Sequence, residues 1–344
     1  MSKSRPNCTS LDIARAAGTS RATVSRVLNG TNGHISISEE TRARVLRVAA
    51  EMGYAPNAAA RQLRMRRAQA IGLILPPSRY RRPGQPGTFG LAQFLGGIID
   101  AGDSTEYNIM LAPGTSPERA VQMLHGKQVD GLLVIHPLET DPYIRGLLAA
   151  GAPVVSMCQM PAEVPVSWVD FDNVGGARAA VLHLAQRGHR RIAFICGMAG
   201  TMVSSLRIRG YREALDLAGI SFQEDLVVSA PEPTRTPQGA AALRQLLRLP
   251  EPPTAVFCYR DQLAFGVLLA AREAGLRVPQ DLAVVGFDDD PASAHQDPPL
   301  TTVRADFFGA GREAAMLLID LIEERTLGPA SKLLPTELIV RDST

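Results

Sequence analysis

Two groups of residues in this chain carry types and spacings that could do chemistry. In the first, Arg21 and Arg26 share a short stretch with Ala22, Thr23, Ser25 and Asn29. An arginine fork can donate two hydrogen bonds at once to the acceptor edge of guanine. Short hydroxyl and amide side chains suit phosphate oxygens. In the second group, polar residues follow apolar runs: Asp170, Asp172 and Asn173; Tyr259, Arg260 and Asp261; and Phe287, Asp288, Asp289 and Asp290. Arg207 lies at the start of a helix expected over 204–218. Carboxylates, an amide, arginines and aromatic rings are the groups that hydrogen-bond and stack on a polyhydroxylated ring. An acid at a strand end can equally cap the helix that follows.

Three short helices must position the first group. Ile13, Ala14 and Ala17 stripe a helix over Leu11–Ala17, which Gly18 ends. Ser20 suits the N-cap of a helix over Arg21–Asn29, where Val24, Val27 and Leu28 face inward and Arg21, Ala22, Ser25 and Arg26 point out. Ser38 caps a third helix, with Glu39 and Glu40 in its first turn and Val45, Val48, Ala49 and Met52 as its buried stripe; Gly53 closes it. Two helices joined by a short glycine turn form a helix-turn-helix, whose second helix enters the major groove. Beyond Pro56, residues 58–64 are strong helix formers but too few to be helical alone. Asn57 can cap them, and Leu63 among arginines is an apolar wedge suited to opening a minor-groove base step.

The second group hangs on a different scaffold. Apolar runs at Ile71–Leu75, Tyr107–Leu111, Gly131–Ile135, Val154–Met157, Trp168–Phe171, Arg191–Cys196, Leu226–Val228, Ala255–Cys258 and Leu282–Gly286 alternate with amphipathic helical stretches. That alternation predicts parallel strands in βαβ units, arranged as two doubly wound halves. Ligands bind beyond the carboxyl ends of such strands.

Charge separates the two parts. Residues 1–70 hold 12 Lys and Arg against 4 acids, a net +8. The remainder holds 24 bases against 30 acids, a net −6. A basic head on an acidic body predicts a polyanion-binding module fused to something else. Cys8, Cys158, Cys196 and Cys258 are scattered with no C-x-x-C pair, which fits neither a zinc site nor a disulfide framework. No metal or cofactor is expected. The N-terminus has no apolar leader and no apolar run reaches about 18 residues, so a cytoplasmic protein is expected, neither exported nor membrane-bound.

From Thr9 to Arg67 the chain resembles the LacI/GalR family of transcription regulators, in "AGTSRATVSRVLN", "SEETRARVLRVAAEMGY" and "PNAAARQL". The likeness continues in "LAQRGHRRIAFI", "LRIRGYREALDLAGI", "LRVPQDLAVVGFDDDP", "PPLTTVR" and "LPTELIVRDST". The resemblance implies that Arg21, Ala22 and Arg26 read bases. It implies that Leu63 is the intercalating residue, with Ala60 and Arg61 beside it. Arg207 and Asp288 match the family's effector contacts best, followed by Asp170 and its neighbours. Three departures stand out. Thr234 replaces a frequent aromatic, Arg260 stands where many sugar binders have Asn, and the Pro76–Thr88 loop is longer than usual.

The expected architecture is an all-α helix-turn-helix head at 1–56, a hinge helix and linker at 57–69, and an α/β body at 70–344 like a periplasmic binding protein. Its first half should span about 70–170 and 305–329, its second about 171–304 and 330–344. The expected function is allosteric repression. A homodimer would bind a palindromic DNA operator under control of a small effector, a sugar or sugar derivative. No heptad tail follows "LIVRDST", so a dimer and nothing larger is expected. A nucleobase or phosphorylated metabolite is the alternative effector, and an effector-independent DNA binder the alternative regulator. Asp288, Asp289 and Asp290 with His189 and His295 could furnish a hydrolase, but no G-x-S-x-G, H-E-x-x-H or P-loop is present. A transport receptor would need export and no basic head.

Overall fold

The computed structural model describes residues 8–29, 37–54, 67–75, 89–113, 116–135, 137, 142–197, 200–230, 235–326 and 328–344. The chain divides into two compact units, Met1–Arg67 and Ala68–Thr344. Asn57, Ala60, Arg61, Leu63 and Thr234 lie outside the described residues, as does the loop after Leu75.

In the first unit, α1 (Ser10–Ala16), α2 (Arg21–Asn29) and α3 (Glu39–Glu51) close around Ile13, Ala14, Ala17, Val24, Val27, Val45, Val48 and Ala49. Small β-branched and alanine side chains let three short helices approach closely. Each helix starts on a side-chain cap. Ser20 and Ser38 accept from the backbone of Thr23 and Thr41, as their sequence contexts predict. Thr9 adds a reciprocal capping box with Asp12. Gly18 and Gly53 take φ of +60° and +61° at the helix ends, the left-handed turn that glycine adopts without Cβ strain. Met52 departs from expectation: it caps α3 and is 41% exposed, because the helix ends there and its side chain no longer points at the bundle.

The second unit holds two parallel sheets. The first has the order β11-β5-β4-β3-β1-β2, from β1 (Ala70–Leu75), β2 (Asn108–Pro113), β3 (Gly131–Ile135), β4 (Val154–Met157), β5 (Ser167–Phe171) and β11 (Ser331–Leu334). The second runs β7-β6-β8-β9, from β6 (Ile192–Cys196), β7 (Val227–Ser229), β8 (Ala255–Cys258) and β9 (Ala283–Val285). Their central strands are buried on both faces, which explains the unbroken apolar runs. On the first sheet lie α4 (Phe89–Thr105) and α11 (Phe307–Ile322). Gly97 and Gly311 let these helices touch: a Cβ on either would strike backbone of the other helix. Phe94, Phe171 and Phe307 fill the junction with ring centroids 5.0 to 6.1 Å apart.

The chain crosses between halves three times. It leaves the first half after β5 and returns through β10 (Thr302–Ala305) into α11. It leaves again between β11 and β12 (Thr336–Ile339). Strands β10 and β12 pair antiparallel as a separate two-stranded sheet. The last crossing therefore falls at Pro335 rather than near 330, since Ser331–Leu334 still pairs with β5. Bridges from Val285 to Thr301 and from Asp288 to Arg304 tie β10 to the carboxyl end of the second sheet.

Candidate functional sites in the head and body

Helix α2 presents the head's candidate surface. Arg21 and Ala22 are exposed, while Thr23, Ser25 and Arg26 are half-buried at the edge of the same face. The half-burial of Ser25 and Arg26 differs from a purely outward reading; a nine-residue helix packed on two neighbours hides its flanks as well as its core stripe. Arg21 Nε donates to Ser10 Oγ at 3.0 Å, which fixes the guanidinium across the start of α1. Thr23 Oγ1 lies 2.9 Å from Ser20 Oγ and so belongs to the cap. Asn29 ends the helix.

The body's candidate site is built at strand carboxyl ends. Three helices supply it: α7 (Asn173–Gln186) after β5, α8 (Met202–Leu217) after β6, and α10 (Asp261–Glu273) after β8. Arg207, on the second turn of α8, is 4% exposed. Its Nε donates to Asn173 Oδ1 at 2.9 Å, and one terminal nitrogen donates to the Tyr259 carbonyl. The flat face of the guanidinium lies 3.4 Å from the centroid of the Phe287 ring. A buried arginine is tolerable only when its donors find acceptors, and the planar fork suits two at once.

Asp288 lies between two cations. Its Oδ1 is 3.8 Å from an Arg207 terminal nitrogen, and its Oδ2 is 3.8 Å from Arg260 Nε. Among the described residues no hydrogen bond reaches this carboxylate, although its side chain is only 17% exposed. Burial pushes its pKa up, against the pull of Arg260 and Arg207. The residue has φ +114°, an unusual backbone for any residue with a Cβ.

Two of the expected contact residues are turned to internal work. Asp170 is 5% exposed, and its oxygens accept from the Gln159 and Phe171 backbone at 2.9 and 2.7 Å and from Asn173 Nδ2 at 3.0 Å. It therefore orients Asn173, which in turn receives Arg207. Burial raises the Asp170 pKa. Asp172 caps α7, its Oδ1 accepting from Gly175 N at 2.7 Å. Arg207, Arg260 and Asp288 are brought together; Asp170 joins them through Asn173; Asp172 does not. Sequence reasoning placed Asn173 beside the site without giving it the acceptor role.

Behind the cluster lies Asp261, fully buried. Its carboxylate accepts from Thr302 Oγ1 at 2.5 Å, Ser293 Oγ at 2.7 Å and Asp290 N at 2.8 Å. Burial pushes its pKa well up, and the Asp288 charge adds to this. It holds the 286–293 loop rather than facing a ligand. A recess of about 390 Å³ elsewhere in the body, bordered by His125, Lys127 and Asp130, lies at the amino ends of β3 and β4 and holds none of these residues. Among the described residues no group of three His, Cys, Asp or Glu could hold a metal.

The arrangement offers donors and acceptors on a rigid frame, which suits recognition of a hydroxyl-rich molecule. Comparison with known proteins agrees with both halves of this picture. Residues 9–57 match the signature of bacterial regulatory proteins of the lacI family, and residues 181–344 that of a periplasmic binding protein-like domain. The transcriptional regulator CelR of Thermobifida fusca is 39% identical over 337 residues, covering 96% of each chain. The repressor CytR of Escherichia coli K12 is 33% identical over 352 residues, covering 99% of this chain and 98% of its own. A solved CelR–cellobiose complex aligns with TM-score 0.74 at 37% identity, over 99% of this chain and 100% of that one. The lac repressor dimer bound to operator and the anti-inducer ONPF aligns with TM-score 0.84 at 28% identity, over 98% and 99%. The chain belongs to the lacI family of bacterial regulatory proteins.

Proposed function

We propose that this DNA-binding transcriptional regulator takes a small polyhydroxylated effector, a sugar or sugar derivative, against Arg207, Arg260 and Asp288. The carrying observation is the Asp288 carboxylate, held between two guanidiniums at 3.8 Å and accepting no hydrogen bond among the described residues. A buried acceptor without donors is costly, at about 1–3 kcal/mol. Vicinal hydroxyls would satisfy it and could accept from the arginines in return. The solved complex of the relative CelR with cellobiose supports a saccharide. Arg260, half-exposed beside Asp288, favours a second reading in which the sugar carries a phosphate or carboxylate. Binding without turnover is proposed, as befits relatives that are regulators.

On the DNA side, Arg21, Ala22, Thr23, Ser25, Arg26 and Asn29 are proposed to meet an operator half-site. Asn57, Ala60, Arg61 and Leu63 are proposed to meet the minor groove at its centre. Two copies would occupy a palindrome, since a two-fold protein matches a two-fold site. A cytoplasmic location follows from this role, and among the described residues no helix is long and apolar enough to cross a membrane.

The test is titration of the full chain, bound to a selected operator, with cellobiose, glucose, ribose and glucose 6-phosphate. A change in operator affinity with one of them supports the reading. Effector binding that survives both Asp288→Asn and Arg207→Lys would place the effector elsewhere.

A further inference from the structure

Asp288 and Asp289 are consecutive, both at positive φ, and their carboxylates serve different parts of the fold. Asp288 faces Arg207 on α8 and Arg260 ahead of α10. Asp289, at φ +52°, faces the crossover strands instead. Its Oδ2 accepts from Arg304 Nε on β10 at 2.8 Å, and its Oδ1 from an Arg341 terminal nitrogen, just past β12, at 2.6 Å. Arg304 also reaches Glu337 on β12 at 3.2 Å, and Arg341 donates to the Leu300 carbonyl at 2.7 Å. The Asp289 side chain is 12% exposed and that of Arg341 19%, so this arm is sheltered, while Arg304 at 51% lies at the surface.

From this arrangement we infer that Asp289 is a positioning residue that transmits effector occupancy at Asp288 to the two strands joining the halves of the body. The inference rests on the effector reading of Asp288 given above. The physical argument has three steps. A ligand that hydrogen-bonds Asp288 fixes or shifts residue 288, whose ion pairs at 3.8 Å leave room for movement. Residue 289 shares a peptide unit with it, and two successive positive-φ residues other than glycine have few alternative backbone states. Any rotation of that peptide therefore drags the Asp289 carboxylate. Charge-assisted bonds at 2.6 and 2.8 Å resist stretching and carry the displacement into β10 and the end of β12. These strands lead to α11 and from β11, the elements of the first half that return across the boundary. Sequence gave no hint of this, since the paired residues are 15 and 52 positions apart.

The experiment measures two quantities on the full chain: binding of cellobiose by calorimetry, and operator affinity with and without saturating cellobiose. Asp289→Asn keeps the size of the side chain and a residue that tolerates positive φ. Arg304→Met removes one partner at a half-exposed site, so a folded variant is available even if the first is not. Wild type should show a shift in operator affinity in the usual allosteric range of about 5- to 150-fold. Both variants should bind cellobiose within about 3-fold of wild type while that shift falls below about 2-fold, the remainder of a 1–3 kcal/mol coupling once the link is cut. A residue that only stabilised the body would lower melting temperature and leave the shift intact. Variants that bind and respond like wild type overturn the transmission role alone. Wild type that neither binds nor answers cellobiose, glucose, ribose or glucose 6-phosphate overturns this inference and the effector reading together.

Discussion

Arg207 and Asp288 approach to 3.8 Å without forming a hydrogen bond, while the same guanidinium is anchored by two hydrogen bonds, to Asn173 and the Tyr259 carbonyl, and by the Phe287 ring. The arginine is fixed by hydrogen bonds within the protein; the aspartate carboxylate, though ion-paired, accepts none among the described residues. The pair is thus asymmetric, with a fixed cation and an acceptor whose oxygens are available to something else. Geometry of this kind lets a ligand gain hydrogen bonds without first breaking one in the protein.

Asp288→Asn should therefore weaken effector binding more than it weakens the fold. Asparagine keeps one acceptor oxygen and the tolerance of positive φ but loses the charge facing two arginines. The expected loss is roughly 1–3 kcal/mol in effector affinity, about 5- to 150-fold, from hydrogen bonds lost to a charged group. Calorimetric titration with the effector found by the sugar panel measures it. Unchanged affinity would show that the carboxylate does not touch the ligand.

Asn173→Ala tests the arrangement from behind. The substitution leaves Arg207 Nε without its 2.9 Å acceptor and strips Asp170 of one donor. Neither residue needs to meet the effector for the effect to appear. Stability should fall by about 1–3 kcal/mol, the cost of a buried charged donor left unpaired. Effector affinity should fall too, because the guanidinium is no longer held in one place. A melt that is unaltered would mean that the Asp170–Asn173–Arg207 chain carries no load.

In the head, Arg26→Ala should cost about 1–3 kcal/mol on the specific operator and far less on random DNA, if the fork reads a guanine. Competition binding in a salt series separates this from a phosphate contact. A loss shared equally by both DNAs, with a shallower salt slope, would assign Arg26 to the backbone. Arg21→Ala carries an added effect, since it also removes the 3.0 Å bond to Ser10 that joins α2 to α1.

Much of this site was legible in sequence because it obeys a rule of topology. Parallel strands deliver polar residues at their carboxyl ends, and Arg260 and Asp288 are there for that reason, while Arg207 comes from the second turn of α8. The head helices were legible too, since caps and apolar stripes are local signals: Ser20, Ser38, Gly18 and Gly53 all act where their types suggest. What the rule could not say is which acid at a strand end looks outward. Asp170, Asp172, Asp261 and Asp288 have the same chemistry in a sequence. Only tertiary donors separate them: Gln159 and Asn173 claim Asp170, the α7 amide claims Asp172, and two hydroxyls claim Asp261. The crossing at Pro335 escaped for a similar reason. Ser331–Leu334 is an edge strand with exposed residues and no strong apolar pattern to place it with β5.

Asp261 provides a prediction in pH. Its pKa in the folded state is pushed well above its ordinary value by burial first and by the Asp288 charge second. In the unfolded chain it returns to about 3.8. Between those two values the folded state holds a proton that the unfolded state has lost. Stability from this group is therefore complete below pH of about 4 and drains away as pH rises through the folded pKa. Asparagine at this position has no such titration, though it lacks an acceptor for one of the three donors at Thr302, Ser293 and Asp290. Asp261→Asn should thus be destabilised by about 1–3 kcal/mol where the native acid is protonated. The gap to wild type should narrow as pH is raised from acid toward neutrality. Gly286 sharpens the expectation, because a Cβ there would strike Asp261 Oδ1, and the loop has little room to relax around a changed group. Denaturant melts of both proteins across this range decide the matter. A gap that widens with rising pH would mean that the three donors outweigh burial and hold Asp261 as a carboxylate.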